Sequence, residues 1–153
     1  MACSCQSKKD SIQQLQDQLT KDSVALHKLQ DKYQMRLRND YRWCDSMLQF
    51  VPSEQVGNYL DDLFLAEAYL NQFDEMLPVM QHTISYTRQQ LNNLKNDIDT
   101  HYVNDTLAAT YLEDEAAVAD TLHNRIIYFQ DRLSKQDEVL TDTKKSIRKA
   151  VKQ

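Results

Sequence analysis

The chain has 153 residues, of which 41% are hydrophobic and 27% charged, and its net charge is −5. It contains one glycine, Gly57, and two prolines, Pro52 and Pro78, whereas average usage predicts about 11 glycines and 8 prolines. Tight hairpins, phosphate-binding loops and nucleophile elbows rely on glycine for positive φ angles. The composition therefore argues against β-rich folds, dinucleotide folds, P-loops and G-x-S-x-G hydrolases. The remaining class is a mostly helical protein with few turns.

The N-terminal third of the chain carries apolar residues at alternating spacings of three and four from Ile12 onward. This spacing predicts a first helix over about residues 9–50. Residues 1–8 show no periodicity and are interpreted as a flexible N-terminal tether. The chain then reaches Pro52, which disfavours helix in the residue before it, and Ser53, a residue type that caps helices.

The apolar pattern of this first helix changes register after Tyr33. The original spacing puts Arg36 and Asp40 on the seam. A second spacing, displaced by one residue, puts apolar side chains on the seam instead. The second register contains Leu37, Tyr41, Cys44 and Leu48. We interpret the change as a stutter or a widened apolar face, and we expect Arg36 and Asp40 to lie off the seam.

A second helix is predicted over residues 53–98 by the most regular pattern in the chain. The positions from Val56 to Ile98 keep the spacing of three and four, and only Thr87 among them is neither apolar nor aromatic. Pro78 falls inside this pattern, one residue off the seam, and costs about 3 kcal/mol because it removes a backbone hydrogen bond. Since the heptad phase continues through Pro78, we predict a kink rather than a chain reversal.

A polar segment around Asn104 separates this helix from a third, which is predicted over residues 105–150. Either Asn104 or Asp105 is expected to cap the third helix. Because short connections make neighbouring helices antiparallel, the predicted fold is all-α. It is an elongated antiparallel three-helix bundle with coiled-coil-like heptad seams, forming one domain over residues 9–153. If the chain instead turned at Pro78, the result would be a shorter four-helix bundle.

Several polar residues occupy seam positions of the three predicted helices. Polar groups at such positions commonly set the register and the pairing of helices. The alternative is a local error of register, which we favour for the two residues beyond Tyr33. The polar seam residues are Asp22, Arg36, Asp40, Glu115 and Gln136.

Charge is distributed unevenly along the chain. The net charge is +2 over residues 1–53, −11 over residues 54–120 and +4 over residues 121–153. An acidic middle between two basic ends indicates either complementary packing of the segments or solvated faces. The basic C-terminal segment lacks interleaved aromatic residues, so no nucleic-acid partner is expected. The acidic side chains taken as a possible partner surface are Glu67, Asp74, Glu75, Glu113 and Asp114.

Residues with catalytic or metal-binding chemistry do not form a complete set. Asp120 and His123 have the spacing of the carboxylate–histidine pairs of di-iron bundles, but such sites need a second pair and two further carboxylates. We interpret Asp120 and His123 as a surface pair. Cys44 follows Trp43 on an apolar face and is expected to be a buried, inert thiol. We therefore expect no catalytic residue, metal or cofactor, and we expect that the protein is not an enzyme.

The first residues, Met1-Ala2-Cys3-Ser4, resemble the end of a bacterial lipobox, in which a small residue precedes an acylated cysteine. The apolar stretch that precedes the cysteine in that pattern is missing, so Met1 is either the true start or lies inside a signal peptide. The polar tract over residues 6–10 resembles the tract after the cysteine in surface-exposed lipoproteins of Bacteroidota, and the region 94–116 is similar to small helical lipoproteins of that phylum. Beyond these residues the likeness consists of the heptad pattern.

This resemblance implies a non-enzymatic cell-envelope lipoprotein, in which Cys3 carries lipid and the helical bundle acts as a spacer, adaptor or protein-binding scaffold. The implied place is the outer membrane or the periplasmic face of the envelope, with another envelope protein as partner. The chain would act as a monomer or a homodimer. The alternative is a cytoplasmic coiled-coil adaptor or secretion chaperone that covers a partner helix. No apolar run is long enough to predict a transmembrane helix.

Overall fold

The structure, a computed structural model, describes residues 2–152 and the side chains of residues 6–152. A π-helical turn, Gln30–Gln34, joins the first two helices, and a 3₁₀ turn, Leu48–Phe50, follows the second. Because residues 2–152 form helices and no strand, the predicted all-α helical bundle is confirmed. The α-helices are α1 (Ala2–Leu29), α2 (Met35–Met47), α3 (Ser53–Asp99) and α4 (Asp105–Ala150).

The described chain divides into two compact units. The first contains the chain up to Leu26 together with Pro78–Ile126, and the second contains His27–Leu77 and the chain from Ile127 onward. Each unit therefore has three helical segments, one from the α1–α2 stretch, one from α3 and one from α4. The expectation of a single domain over residues 9–153 stays a prediction.

In the first unit, α1 runs antiparallel to α3 and parallel to α4. Rising residue numbers in α1 meet falling numbers in α3 and rising numbers in α4. The buried side chains of this unit are almost all apolar and include Ile12, Leu19, Met80 and Leu91. The polar contacts that fix the helix directions are Gln16–Asn92, Thr20–Arg88, Lys8–Asp105 and Asp22–His123.

In the second unit, two phenylalanines form the centre of the core. Phe73 of α3 and Phe129 of α4 are both at most 1% exposed, and their rings meet edge to face with centroids 5.3 Å apart. This geometry is favourable because the positive edge of one ring meets the negative face of the other. Leu37 and Cys44 of α2 and Leu70 of α3 are also fully buried in this unit.

The heptad seam predicted for α3 is confirmed over most of its length. Every seam position from Leu63 to Ile98 is buried, whereas Val56 and Tyr59 are half-buried. The helix continues without interruption through Pro78, so the chain does not reverse there and the four-helix alternative is excluded.

The register change after Tyr33 has a physical cause in the π-helical turn. A π-turn contains one residue more than an α-turn, so it moves the seam forward by one position. Tyr33, Leu37 and Cys44 are buried in succession, while Arg36 is exposed and Asp40 half-buried. The expectation that Arg36 and Asp40 lie off the apolar seam is confirmed.

The first helix begins at Ala2, well before the start predicted at residue 9. Hydrogen bonds of polar side chains occur within these first turns, which the sequence pattern did not predict as helix. Gln6 donates to Asp10 over 2.9 Å, and the hydroxyl of Ser11 donates to the carbonyl of Ser7. Hydrophobic periodicity finds only the part of a helix that has a buried apolar side, so it missed these turns, in which Gln6 and Ser7 are exposed.

The connection between α3 and α4 uses two standard terminal motifs. Asn104 caps α4 as predicted, because its side-chain oxygen accepts the backbone N–H of Leu107 at 2.9 Å. At the end of α3, the N–H of Tyr102 donates to Asp97 and that of His101 donates to Ile98, which is the Schellman arrangement. His101 occupies the left-handed position of this motif with φ 56°, where glycine is the usual residue.

Candidate partner surface

The acidic residues predicted on α3 divide between internal contacts and solvent. The carboxylate of Asp74 is half-buried, forms an ion pair with Arg38 and accepts a hydrogen bond from Gln34 at 2.7 Å. Glu67 is half-buried beside Tyr41, whose pKa is raised by burial and by that neighbouring carboxylate. Only Glu75 among the three is exposed, so Glu67 and Asp74 hold α3 to α2 within the second unit.

The acidic residues predicted on α4 lie in the first unit. Glu113 and Asp114 are both exposed, and the neighbouring Glu115 is half-buried. Burial, followed by the adjacent charge of Asp114, raises the pKa of Glu115. These residues lie two to three turns after the start of α4 at Asp105, which is beyond the turn where the helix macrodipole favours acids most.

Exposed apolar residues on α3 are the feature that the sequence reasoning missed. Phe64 is 72% exposed, Leu60 50% and Leu65 47%. Leu60 and Phe64 are four residues apart and therefore lie on the same side of the helix. Both residues fall outside the seam of Leu63, Ala66 and Leu70. The sequence signal for their exposure was that they are apolar but depart from the regular spacing of that seam.

A second apolar feature lies in the first unit. A groove of about 330 Å³ runs between α3 and α4 and is lined by hydroxyl, aliphatic and guanidinium groups. Val118 in its lining is 42% exposed. The lining residues are Thr83, Ala117, Val118, Thr121, Leu122 and Arg125.

His123 contacts a buried carboxylate rather than standing alone on the surface. Its Nδ1 lies 2.7 Å from Oδ1 of Asp22, which is 2% exposed. Gln18 also reaches Oδ1 of Asp22, at 3.1 Å, while the other carboxylate oxygen has no partner. The interpretation of Asp120 and His123 as a surface pair is thereby replaced, since His123 joins α4 to the seam of α1. Gln136, another of the polar residues predicted on the seam, is also buried, at 7% exposure.

Of the three cysteines, Cys44 is the one whose side chain the structure describes. Cys44 is fully buried, and burial raises the pKa of its thiol to about 11, which fits the predicted inert thiol. Beside it, Trp43 lies under two cations, with Lys144 and Arg148 at 5.3 and 5.1 Å from the ring. The side chains of Cys3, the predicted lipidation site, and of Cys5 lie outside the described residues.

Among the residues that the structure describes, no cluster of three metal-binding side chains occurs. No helix within residues 2–152 combines the length and apolar content that crossing a bilayer requires. Comparison with models of known protein families, with curated proteins and with solved structures found no match to this chain.

Proposed function

We propose that this chain is a non-enzymatic helical scaffold that presents a helix face to a partner protein and is held at the bacterial cell envelope by lipid on Cys3. The observation that carries the scaffold role is the exposure of Phe64, 72%, on the side of α3 away from its buried seam. Covering a large apolar side chain contributes about 1.5–3 kcal/mol. This face therefore offers binding free energy that the fold itself does not use.

The buried seams support this role because their side chains form the core. The outer helix faces are therefore not needed for core packing. In the second unit, Leu63, Ala66 and Leu70 fill the inner side of α3, while Phe64 points away from them. Close-packed interiors hold their backbone rigidly, so a face built on such a helix is pre-organised for binding.

Anchoring through Cys3 is compatible with the course of α1. The helix is already formed at Ala2, and at 1.5 Å per residue Cys3 lies about 8 Å along the axis from Lys8. Lys8 pairs with Asp105, and Lys9 pairs with Asp99. Lipid on Cys3 would therefore hold this end of the first unit close to the bilayer surface, with little slack between anchor and helix.

The second candidate function is a cytoplasmic adaptor or secretion chaperone that covers a partner helix. The groove between α3 and α4 in the first unit favours this alternative, since its lining includes the buried Leu122 and the partly exposed Val118. An amphipathic helix laid in such a groove would bury apolar side chains without any membrane attachment.

Metabolic labelling with an alkyne fatty acid in the native host, with the gene expressed together with its upstream sequence, distinguishes the two functions. The envelope scaffold predicts labelled wild-type protein in the membrane fraction and no label in a Cys3→Ser variant. Cys5→Ser is the matched control and should keep the label. Unlabelled wild type, or equal labelling of wild type and Cys3→Ser, would contradict anchoring and favour the adaptor.

A further inference from the structure

The N-terminal half of α3 has an outer face that is apolar at its centre. Three large apolar side chains, Leu60, Phe64 and Leu65, are between 47% and 72% exposed. Ala68, one turn after Phe64, is exposed as well. At about 100° per residue, Leu60, Phe64 and Ala68 form one row outside the buried seam, and Leu65 lies beside that row on the side farther from Leu63. The second unit therefore presents a largely apolar strip along one helix.

Gly57 lies on the same strip, one turn before Leu60 and two turns before Phe64. Glycine inside a helix is unfavourable relative to alanine, so its presence calls for a reason. The fold supplies none, because Gly57 does not have a positive φ and a Cβ added there would meet nothing within 4 Å. A residue without a side chain on an exposed apolar strip allows another backbone to approach closely.

The strip is bordered by negative charge that the fold leaves available. Glu54, Asp61 and Glu75 are exposed, and none of them forms an ion pair with a residue in the described part of the chain. No lysine or arginine occurs between Trp43 and Thr87. Asp61 lies within the strip itself, next to Leu65 in position around the helix, so a cation on a partner that covers the strip would meet it there.

We propose that this face, which we call the α3 face and define as Gly57, Leu60, Asp61, Phe64, Leu65 and Ala68, binds a basic amphipathic helix of a partner protein. The apolar side of that helix packs on Leu60 and Phe64, its backbone approaches at Gly57, and its lysines or arginines meet Asp61 and Glu75. The choice of occupant follows from charge. A second copy would bring its own acidic α3 face against this one, and like charges at close range disfavour that pairing. The inference rests on the proposed scaffold function and names its partner class.

The test uses the full chain and a fluorescein-labelled synthetic peptide of 18 residues, built from leucine on one helical face and lysine on the other. Fluorescence anisotropy should show saturable binding to the wild type. Phe64→Ser should weaken binding at least about tenfold, as expected for a central aromatic contact. A peptide with glutamate in place of lysine should not bind. Tyr86→Ser, which changes an aromatic residue of the first unit that is 52% exposed, is the control and should leave the affinity within about twofold.

Gly57→Leu separates binding from folding. Because a Cβ there would meet nothing within 4 Å and leucine favours helix more than glycine does, the variant should keep or raise the melting temperature. It should nevertheless lose affinity for the lysine peptide by about tenfold if a backbone approaches at this point. Equal affinity of wild type, Phe64→Ser and Gly57→Leu would overturn the proposal. Light scattering that shows a dimer of the wild type and a monomer of Phe64→Ser would overturn it in favour of a second copy. Peptide binding without fatty-acid labelling would keep the α3 face and refute only the envelope anchor.

Discussion

Asp22 and His123 join α1 to α4 in the first unit through a 2.7 Å contact between the buried carboxylate and the imidazole. Asp22 is the only acidic residue among the buried side chains of the described chain, and its second oxygen has no hydrogen-bond partner. A carboxylate in this position is costly unless its partners remain, because a buried polar group that loses its hydrogen bond keeps its full desolvation penalty. The contact therefore supports the pairing of the two helices only while both groups are present.

His123→Ala is expected to reduce the free energy of unfolding by about 1–3 kcal/mol, since it removes the imidazole and leaves Asp22 with the amide of Gln18. Urea unfolding followed by circular dichroism measures this difference. Asp22→Leu, which removes the buried carboxylate itself, should be close to neutral or stabilising. In the Asp22→Leu background, His123→Ala should cost much less than in the wild type. Equal costs in the two backgrounds would show that the contact carries no coupling energy.

His101→Gly is expected to stabilise the protein by about 1 kcal/mol, because a left-handed backbone costs a residue with a Cβ more than it costs glycine. His101 is exposed, and its φ of 56° is the only positive φ of a non-glycine residue in the described chain. Thermal unfolding of the variant should give a higher melting temperature. Thr100→Gly, one position earlier, is the control and should not be stabilising. A lower melting temperature for His101→Gly would mean that the imidazole makes a stabilising contact.

The sequence predicts the connection after α3 only in part, for a physical reason. Asparagine is a preferred capping residue at the start of a helix, so the role of Asn104 was predictable. His101 has no such property, and its left-handed conformation follows from the hydrogen bonds of Tyr102 and His101 to the last turn of α3. The shortage of glycine argues against glycine-dependent sites, but it does not exclude a turn in which the fold imposes the left-handed conformation on another residue.

Lys144→Met is expected to lower the free energy of unfolding by about 1–2 kcal/mol, because it removes an ion pair with Asp40 and a cation over Trp43 from half-buried positions. Lys145→Met is the matched control on the same helix. Lys145 pairs with Asp142 in an exposed position, so its loss should change stability by at most about 0.5 kcal/mol. Chemical denaturation monitored by the fluorescence of Trp43 reports both variants. Equal effects of the two substitutions would contradict the role assigned to Lys144.

Alkaline pH should destabilise the protein through Cys44. The pKa of this thiol is about 11 in the folded state against an ordinary value of 9.0, because burial disfavours the thiolate. A group whose pKa is raised by folding contributes its stability below the unfolded pKa and loses it as the pH rises toward the folded pKa. The free energy of unfolding should therefore fall between about pH 9 and 11, and less steeply in Cys44→Ala. Identical pH dependence of wild type and variant would contradict this effect.

The sequence pattern predicts the buried seams, but it does not predict which residues form the candidate partner surface. The seam of α3 was predictable because burial imposes a period, and the π-helical turn was visible as a change of that period after Tyr33. Acidic residues carry no such information about their partners. Asp74 proved to contact Arg38, which is distant in sequence, whereas Glu75 beside it is exposed. The exposure of Phe64 likewise follows from which side of α3 the other helices cover, and a single sequence does not state this.

Gly57 provides the most direct measurement of the proposed α3 face. As the chain has one glycine, its amide signal stands apart in a ¹H–¹⁵N correlation spectrum and can be identified by its loss in Gly57→Ala. Titration of the wild type with the lysine peptide should shift this signal in a saturable manner, and titration of Phe64→Ser over the same range should leave it almost unmoved. A Gly57 signal that stays fixed while other signals shift would place the binding site elsewhere and contradict the account.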